Sequence, residues 1–227
     1  MEDQQGFMVV LASASPRRRE LLESRGVAFT VRTPHDPVDE KLDADLLLWP
    51  EEAAKKLAER KAGAVVQELL SEGVEGTYIV IGADTMVVHE GEIFGKPRYV
   101  DDAKRMLRAL SGDSHEVITA VSVWMVAAGA DDNVSLGFRT FADTARVTFR
   151  ELGEEEMTEY LRLGESFDKA GAYAIQGEAR RFVTGVEGDE DTVIGLPVSR
   201  LLREFPDLDP NAPAASSDAA TDQGALL

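Results

Sequence analysis

Apolar and polar positions along the 227 residues switch repeatedly between a strand-like and a helix-like period. A short apolar run at 8–11 is broken by Ser13-Ala14-Ser15, and Pro16 then opens a helix that Gly26 ends. Val27, Phe29 and Val31 alternate as a strand, and Pro50 opens a second helix that runs to about residue 70. Residues 77–81 form a buried strand, followed by Gly82-Ala83-Asp84-Thr85, the apolar Met86-Val87-Val88 and a hairpin turn at Glu90-Gly91. A helix is expected over 101–110, with Ala103, Met106, Leu107 and Leu110 on one face. Strands are expected at 117–126 and 144–149, a helix with an acidic first turn at 154–163, and a final helix after Gly195-Leu196-Pro197. Strands and helices mixed with a hairpin predict an α/β fold on a mixed sheet. No repeat of fixed period is visible.

Composition changes this picture at the ends. Residues 206–227 hold three prolines, six alanines, four aspartates and no base, a mixture that buries little apolar surface. The expected division is therefore a folded domain over 7–205 and a disordered acidic tail over 206–227. With 44% hydrophobic residues the remainder builds a proper core. The net charge of −18 argues against long nucleic acid, whose phosphates an acidic surface repels. The absence of cysteine excludes disulfides, thiolate catalysis and thiolate zinc sites. No run reaches the ~20 apolar residues a bilayer requires, and the first residues are acidic where a secretory leader is basic. The expectation is an acidic, cytoplasmic protein without a membrane partner.

Three features suggest chemistry. Ser13 and Ser15 stand at a strand-to-helix junction followed by Arg17, Arg18 and Arg19. A helix start offers unpaired N–H groups, and arginines there oppose the helix dipole, which suits a bound polyphosphate better than an isolated helix. A plain serine cap with solvated arginines remains the alternative. Lys61 lies within the apolar stripe Ala54, Leu57, Ala58, Val65 and Leu69, while Lys55, Lys56, Glu59 and Arg60 lie off it. An inward lysine needs an anionic partner or ligand, unless its amine snorkels out. Asp84 follows a buried strand among small residues, the setting of a metal ligand, a general base or an Asx turn. Glu40 offers a second carboxylate, which nothing local distinguishes from Asp39 or Asp43. Lys96 places a cation in a tight turn, and Asp168-Lys169 adds a charged pair. His35, His89 and His115 show no metal-ligand spacing, and the glycines match neither a Walker loop nor a dinucleotide fingerprint.

Together these segments resemble the Maf family of nucleotide pyrophosphatases. The resemblance runs over 8–202, through 11–22, Lys61-Ala62, Ile81-Gly82-Ala83-Asp84-Thr85, Gly95-Lys96-Pro97, Leu110-Ser111-Gly112, 115–119, 168–177 and Gly195-Leu196-Pro197. It implies a long curved mixed sheet flanked by helices, with two lobes and a central cleft, similar to the inosine-triphosphate pyrophosphatases. It implies hydrolysis of a nucleoside triphosphate to the monophosphate and pyrophosphate with a divalent cation, Mg²⁺ or Mn²⁺. Residues 168–177 look like the branch acting on dTTP and UTP. The acidic loop 129–133 and the tail depart from the family pattern outside its motifs.

Carried onto this chain, the resemblance makes Asp84 the catalytic residue, with Glu40 and Asp84 at the metal. Ser13, Ser15, Arg17, Arg18, Lys61 and Lys96 fall to the phosphates, and Arg17, Thr85 and Gln176 to substrate specificity. Gln176 offers a donor and an acceptor to a uracil or thymine edge, whereas its residue type alone favours capping a turn before Gly177. The family also implies a homodimer. The rival reading is a non-catalytic nucleotide-binding regulator of septum formation.

Overall fold

The computed structural model describes residues 6–129 and 133–212. Its central element is β3 (Gly76–His89), which runs unbroken through the segment where the sequence suggested a strand end. Asp84 therefore sits in mid-strand rather than in an Asx turn. The reason lies in the small residues. A Cβ at Gly82 would fall 2.7 Å from both Ala58 O and Ala62 N of α2 (Pro50–Ser71), so the helix lies directly on the strand and the strand continues beneath it. β5 (Ser114–Ala128) pairs antiparallel with β3 from Gly76 to Val88 and holds it extended.

The seven-stranded sheet has the order β2-β1-β3-β5-β6-β7, with β4 also paired to β3. β1 (Met8–Leu11) runs parallel to β2 (Thr30–Val31) and to β3. β4 (Glu92–Phe94), β6 (Val134–Phe149) and β7 (Val183–Glu187) pair antiparallel, so the sheet is mixed. The β3–β4 hairpin turns at Glu90-Gly91, both at positive φ, as the sequence implied.

Strand parity sorts the core onto two faces of β3, and one of these faces divides between two lobes. Val80, Met86 and Val88 pack under α2. On the opposite face, Ile79, Ile81 and Ala83 join Leu22 of α1 (Pro16–Ser24) and Leu201 of α6 (Val198–Glu204). Farther along that face, Val87 joins Leu107 of α3 (Val100–Leu110) and Tyr160 of α4 (Glu154–Arg162).

Some elements differ from expectation. Only Thr30 and Val31 of the strand read around Val27–Val31 pair in the sheet, because β2 meets only the end of β1. β6 begins ten residues before the expected strand at 144, its early Val134, Leu136 and Phe138 being exposed and so lacking a core pattern. β7 contains no buried residue, and the short α5 (Glu190–Ile194) buries only Thr192, so neither carries a periodic signal. The tail boundary also moves: Pro206–Leu208 forms a 3-10 turn and Leu208 is buried with Leu22 and Leu201. Residues 213–227, most of the acidic loop (130–132) and residues 1–5 lie outside the described residues.

Candidate active site

On one edge of β3, β1 covers Tyr78 to Ile81 and β4 covers Val87 to His89. The stretch between them, Gly82 to Met86, has no strand on that side among the described residues. There the two lobes part around a cleft of about 400 Å³. Asp84 and Thr85 lie at its floor, one on each face of the strand.

The start of α1 points into this gap. Ser15 occupies the N-cap position, yet its hydroxyl caps no helical N–H. Ser13 shapes the turn instead, its Oγ accepting from Ser15 N and from an Arg18 guanidinium nitrogen, both at 3.2 Å. Arg18 also donates from Nε to Gly195 O at 2.8 Å and from Nη2 to Thr85 Oγ1 at 3.2 Å. Gly195 presents that carbonyl at φ 130°, where a side chain would be strained. Arg18 forms no salt bridge among the described residues. Burial drags its pKa below the ordinary value, with Asp84 acting in the opposite sense and Arg17 reinforcing the drop. A guanidinium held on neutral oxygens in a half-buried cleft is a ready anion site. Arg19, by contrast, turns outward toward Glu23 at 3.9 Å.

Thr85 is held in turn. Its Oγ1 lies 2.9 Å from Thr119 Oγ1, and Thr119 donates to Thr192 O at 2.6 Å. Because the Thr119 proton is committed to that carbonyl, the Thr85 hydroxyl donates to Thr119 and leaves its lone pairs to Arg18. Thr192 Oγ1 donates to Asp143 Oδ2 at 2.6 Å, and Arg200 braces the other Asp143 oxygen at 3.3 Å. Sequence reasoning missed Thr119, Thr192 and Asp143, although Thr119 ends one of the quoted motifs.

Lys61 does point inward from α2. Its Nζ lies 2.5 Å from Asp84 Oδ1 and 2.7 Å from Glu40 Oε1. The hydrogen bond from Lys61 holds the Glu40 carboxyl below its usual range. The neighbouring Arg60 explains why Glu40 is selected over Asp39 and Asp43. It donates to the backbone carbonyls of Asp39 and Lys41 at 2.9 and 2.7 Å, clamping the chain on either side of Glu40. Glu40 and Asp84 are two hard oxygen donors of the kind a divalent ion takes, although no group of three or more acidic or imidazole side chains gathers among the described residues.

Arg17, Ser15, Lys96 and Gln176 also line the cleft, whereas Ser13 lies behind it on Arg18. Lys169 and Asp168 join them. Asp168 bridges Lys169 at 2.5 Å and Arg17 at 3.6 Å. Burial raises the Asp168 pKa, but the hydrogen bond and charge of Lys169 outweigh it and hold the group low. Gln176 is exposed, and its side chain makes no hydrogen bond among the described residues. It caps nothing, since Gly177 N–H closes the turn on Ala174 O at 3.1 Å. The wall thus carries five cations (Arg17, Arg18, Lys61, Lys96, Lys169) against three carboxylates (Glu40, Asp84, Asp168), in a protein of net charge −18.

A family model described as "Maf-like protein" matches residues 8–208. The chain belongs to the Maf family. Relatives named "dTTP/UTP pyrophosphatase" include proteins from Lachnoclostridium phytofermentans (40% identical) and Koribacter versatilis (41%), each match covering 87% of this chain and 93% of the relative. Another from Bacillus thuringiensis is 43% identical at the same coverage. Among solved structures, this Maf chain overlaps the Staphylococcus aureus Ham1 protein with a TM-score of 0.39 at 13% identity, over 88% of this chain and 98% of the other. An overlap that low adds nothing to what the family match establishes.

Proposed function

We propose that this Maf protein hydrolyses dTTP and UTP to the monophosphate and pyrophosphate. The observation that carries the reading is the composition of the cleft. Asp84, in mid-strand on β3, shares the cleft with a cluster of cations, of which Arg18 has only neutral partners among the described residues. The curated relatives named for this activity support the substrate choice.

In this mechanism Arg17, Arg18, Lys61, Lys96 and the start of α1 hold the triphosphate and offset the charge that grows on the departing pyrophosphate. Asp84 Oδ1 is engaged by Lys61, which leaves Oδ2 to take a proton from water. That water attacks the α-phosphorus, a new P–O bond forms, and the bond to the bridging oxygen of the β-phosphate breaks. Glu40 and Asp84 would hold a divalent cation, Mg²⁺ or Mn²⁺. When bound, it polarises the phosphate oxygens and makes water more acidic. Gln176 meets the pyrimidine edge, while Arg17 and Thr85 set the position of the nucleotide.

No helix of the described residues is long and apolar enough to cross a membrane, and a nucleotide substrate fits a cytoplasmic setting. We place a homodimer in the same proposal. Along β6, the chain from Val134 to Ala145 has no strand beyond it on the side away from β5 among the described residues, and Val134, Leu136 and Phe138 are exposed. Size-exclusion chromatography with light scattering tests this, a monomer at all concentrations ruling it out.

Incubating the protein with each common nucleoside triphosphate plus Mg²⁺ or Mn²⁺, and measuring pyrophosphate, tests the activity. Turnover strongest on UTP and dTTP is the expected result. Nucleotide binding without turnover across the panel would favour the regulatory alternative.

A further inference from the structure

Gln176 discriminates between bases only if the backbone that carries it is held, and one side chain outside the cleft wall does this. Glu165 lies just after α4, and its Oε2 accepts the N–H of Glu178 at 3.1 Å. Glu178 opens the 3-10 turn Glu178–Phe182. The same carboxylate lies over Gly177. A Cβ at Gly177 would fall 2.3 Å from Oε2 and 3.1 Å from the carboxyl carbon.

The backbone of Gly177, at φ −103° and ψ −157°, is extended and open to any residue. The glycine is therefore not demanded by its own conformation: it leaves room for the Glu165 carboxylate, the flexible end of a side chain that an added Cβ would push aside. The chain after Gln176 is fixed at two successive N–H groups, Gly177 on Ala174 O and Glu178 on Glu165. The Gln176 side chain itself stays without a hydrogen bond among the described residues, on the wall of the cleft. A flexible amide attached to a fixed backbone has a defined reach, and the same amide on a loose turn does not.

We propose that Glu165 is a positioning residue for pyrimidine selection: seated over Gly177 and bound to the Glu178 N–H, its carboxylate aims Gln176 at the base edge. This rests on the reading of Gln176 as the residue that meets the base.

The test compares kcat and KM for UTP and ATP, and inhibition by inorganic tripolyphosphate, in the full chain and its variants. Glu165→Ala is expected to lower the UTP:ATP ratio of kcat/KM by about tenfold, chiefly through KM for UTP, with tripolyphosphate inhibition unchanged. Glu165→Gln keeps the acceptor oxygen and the shape, and is expected to stay within about twofold of the parent. Gly177→Ala displaces the carboxylate without removing it, and is expected to reproduce the loss of selectivity. In the double variant Glu165→Ala/Gln176→Ala the ratio falls no further than with Gln176→Ala alone. Equal losses for UTP, ATP and tripolyphosphate would mean that Glu165 merely holds the fold, and the proposal is overturned. An unchanged ratio in both Glu165→Ala and Gly177→Ala overturns it as well. If Gln176→Ala itself leaves the ratio intact, the reading of Gln176 fails and takes this one with it. If Gln176→Ala relaxes the ratio and Glu165→Ala does not, only the role of Glu165 is lost.

Discussion

Lys61 Nζ lies 2.5 Å from Asp84 Oδ1, joining the middle of the longest helix to the middle of the central strand. Both residues occupy positions that an ordinary core would give to apolar side chains. Each satisfies the other's buried polar group, and together they form one side of the cleft.

Asp84→Asn preserves shape but removes charge and basicity at the floor of the cleft. Turnover of UTP is expected to fall by about 10²-fold or more, while the circular dichroism spectrum and melting temperature stay near those of the parent. A kcat within a few-fold of the parent value would exclude Asp84 from the chemistry.

Lys61→Ala and Arg18→Ala each remove a cation from a crowded site. The expected loss in kcat/KM corresponds to ~2–4 kcal/mol of transition-state stabilisation. The two differ in their effect on stability. Loss of Lys61 leaves Glu40 and Asp84 without their shared counterion, which is expected to lower folding stability by ~1–3 kcal/mol in urea titrations. Loss of Arg18 removes a half-buried charge that has no salt-bridge partner among the described residues, and is expected to cost less stability.

Gly82→Ala brings a methyl group to within 2.7 Å of α2 backbone atoms, which cannot swing aside as a flexible side chain would. Helix and strand must separate, at an expected cost of ~1–3 kcal/mol in the urea midpoint. The Lys61–Asp84 contact is expected to lengthen with them, so activity declines along with stability. Full stability in this variant would show that α2 does not rest on Gly82.

His115 supplies a pH signature. Its ring is buried, with Nε2 2.8 Å from the Tyr173 hydroxyl. Burial above all, reinforced by the charge of His89 and opposed by Asp113, lowers its pKa from 6.5 to about 4. Between those two values the unfolded chain carries a proton here that the folded chain does not. Stability is therefore fully present above pH 6.5 and declines as the pH falls toward 4, by up to about 3 kcal/mol. His115→Gln is expected to flatten this part of the stability–pH curve measured by urea titration. An unchanged slope would show that other groups set it.

How much of this was legible in the chain differs from residue to residue. Helical periodicity alone sets Lys61 on the inner stripe of α2, and the partner that keeps its amine from snorkelling out, Asp84, is supplied by the fold. Gly26 and Glu90-Gly91 mark chain reversals through local backbone preference, again without reference to distant residues. β7 and α5 left no such trace, since they bury almost nothing and periodicity records only burial.

Sequence by itself determined which residue types stand at the start of α1, on the inner stripe of α2 and along β3, because local spacing and burial periodicity act over a few residues. Tertiary structure alone decided that Asp84 lies in mid-strand, since that depends on α2 resting on Gly82 and on β5 pairing along the whole of β3. It also chose Glu40 over its acidic neighbours through the grip of Arg60 on the adjoining carbonyls, and tied Arg18 to Thr85 and Gly195 across 67 and 177 residues. Contacts across such separations depend on how the lobes close around the open edge of β3, a relation that no local pattern encodes.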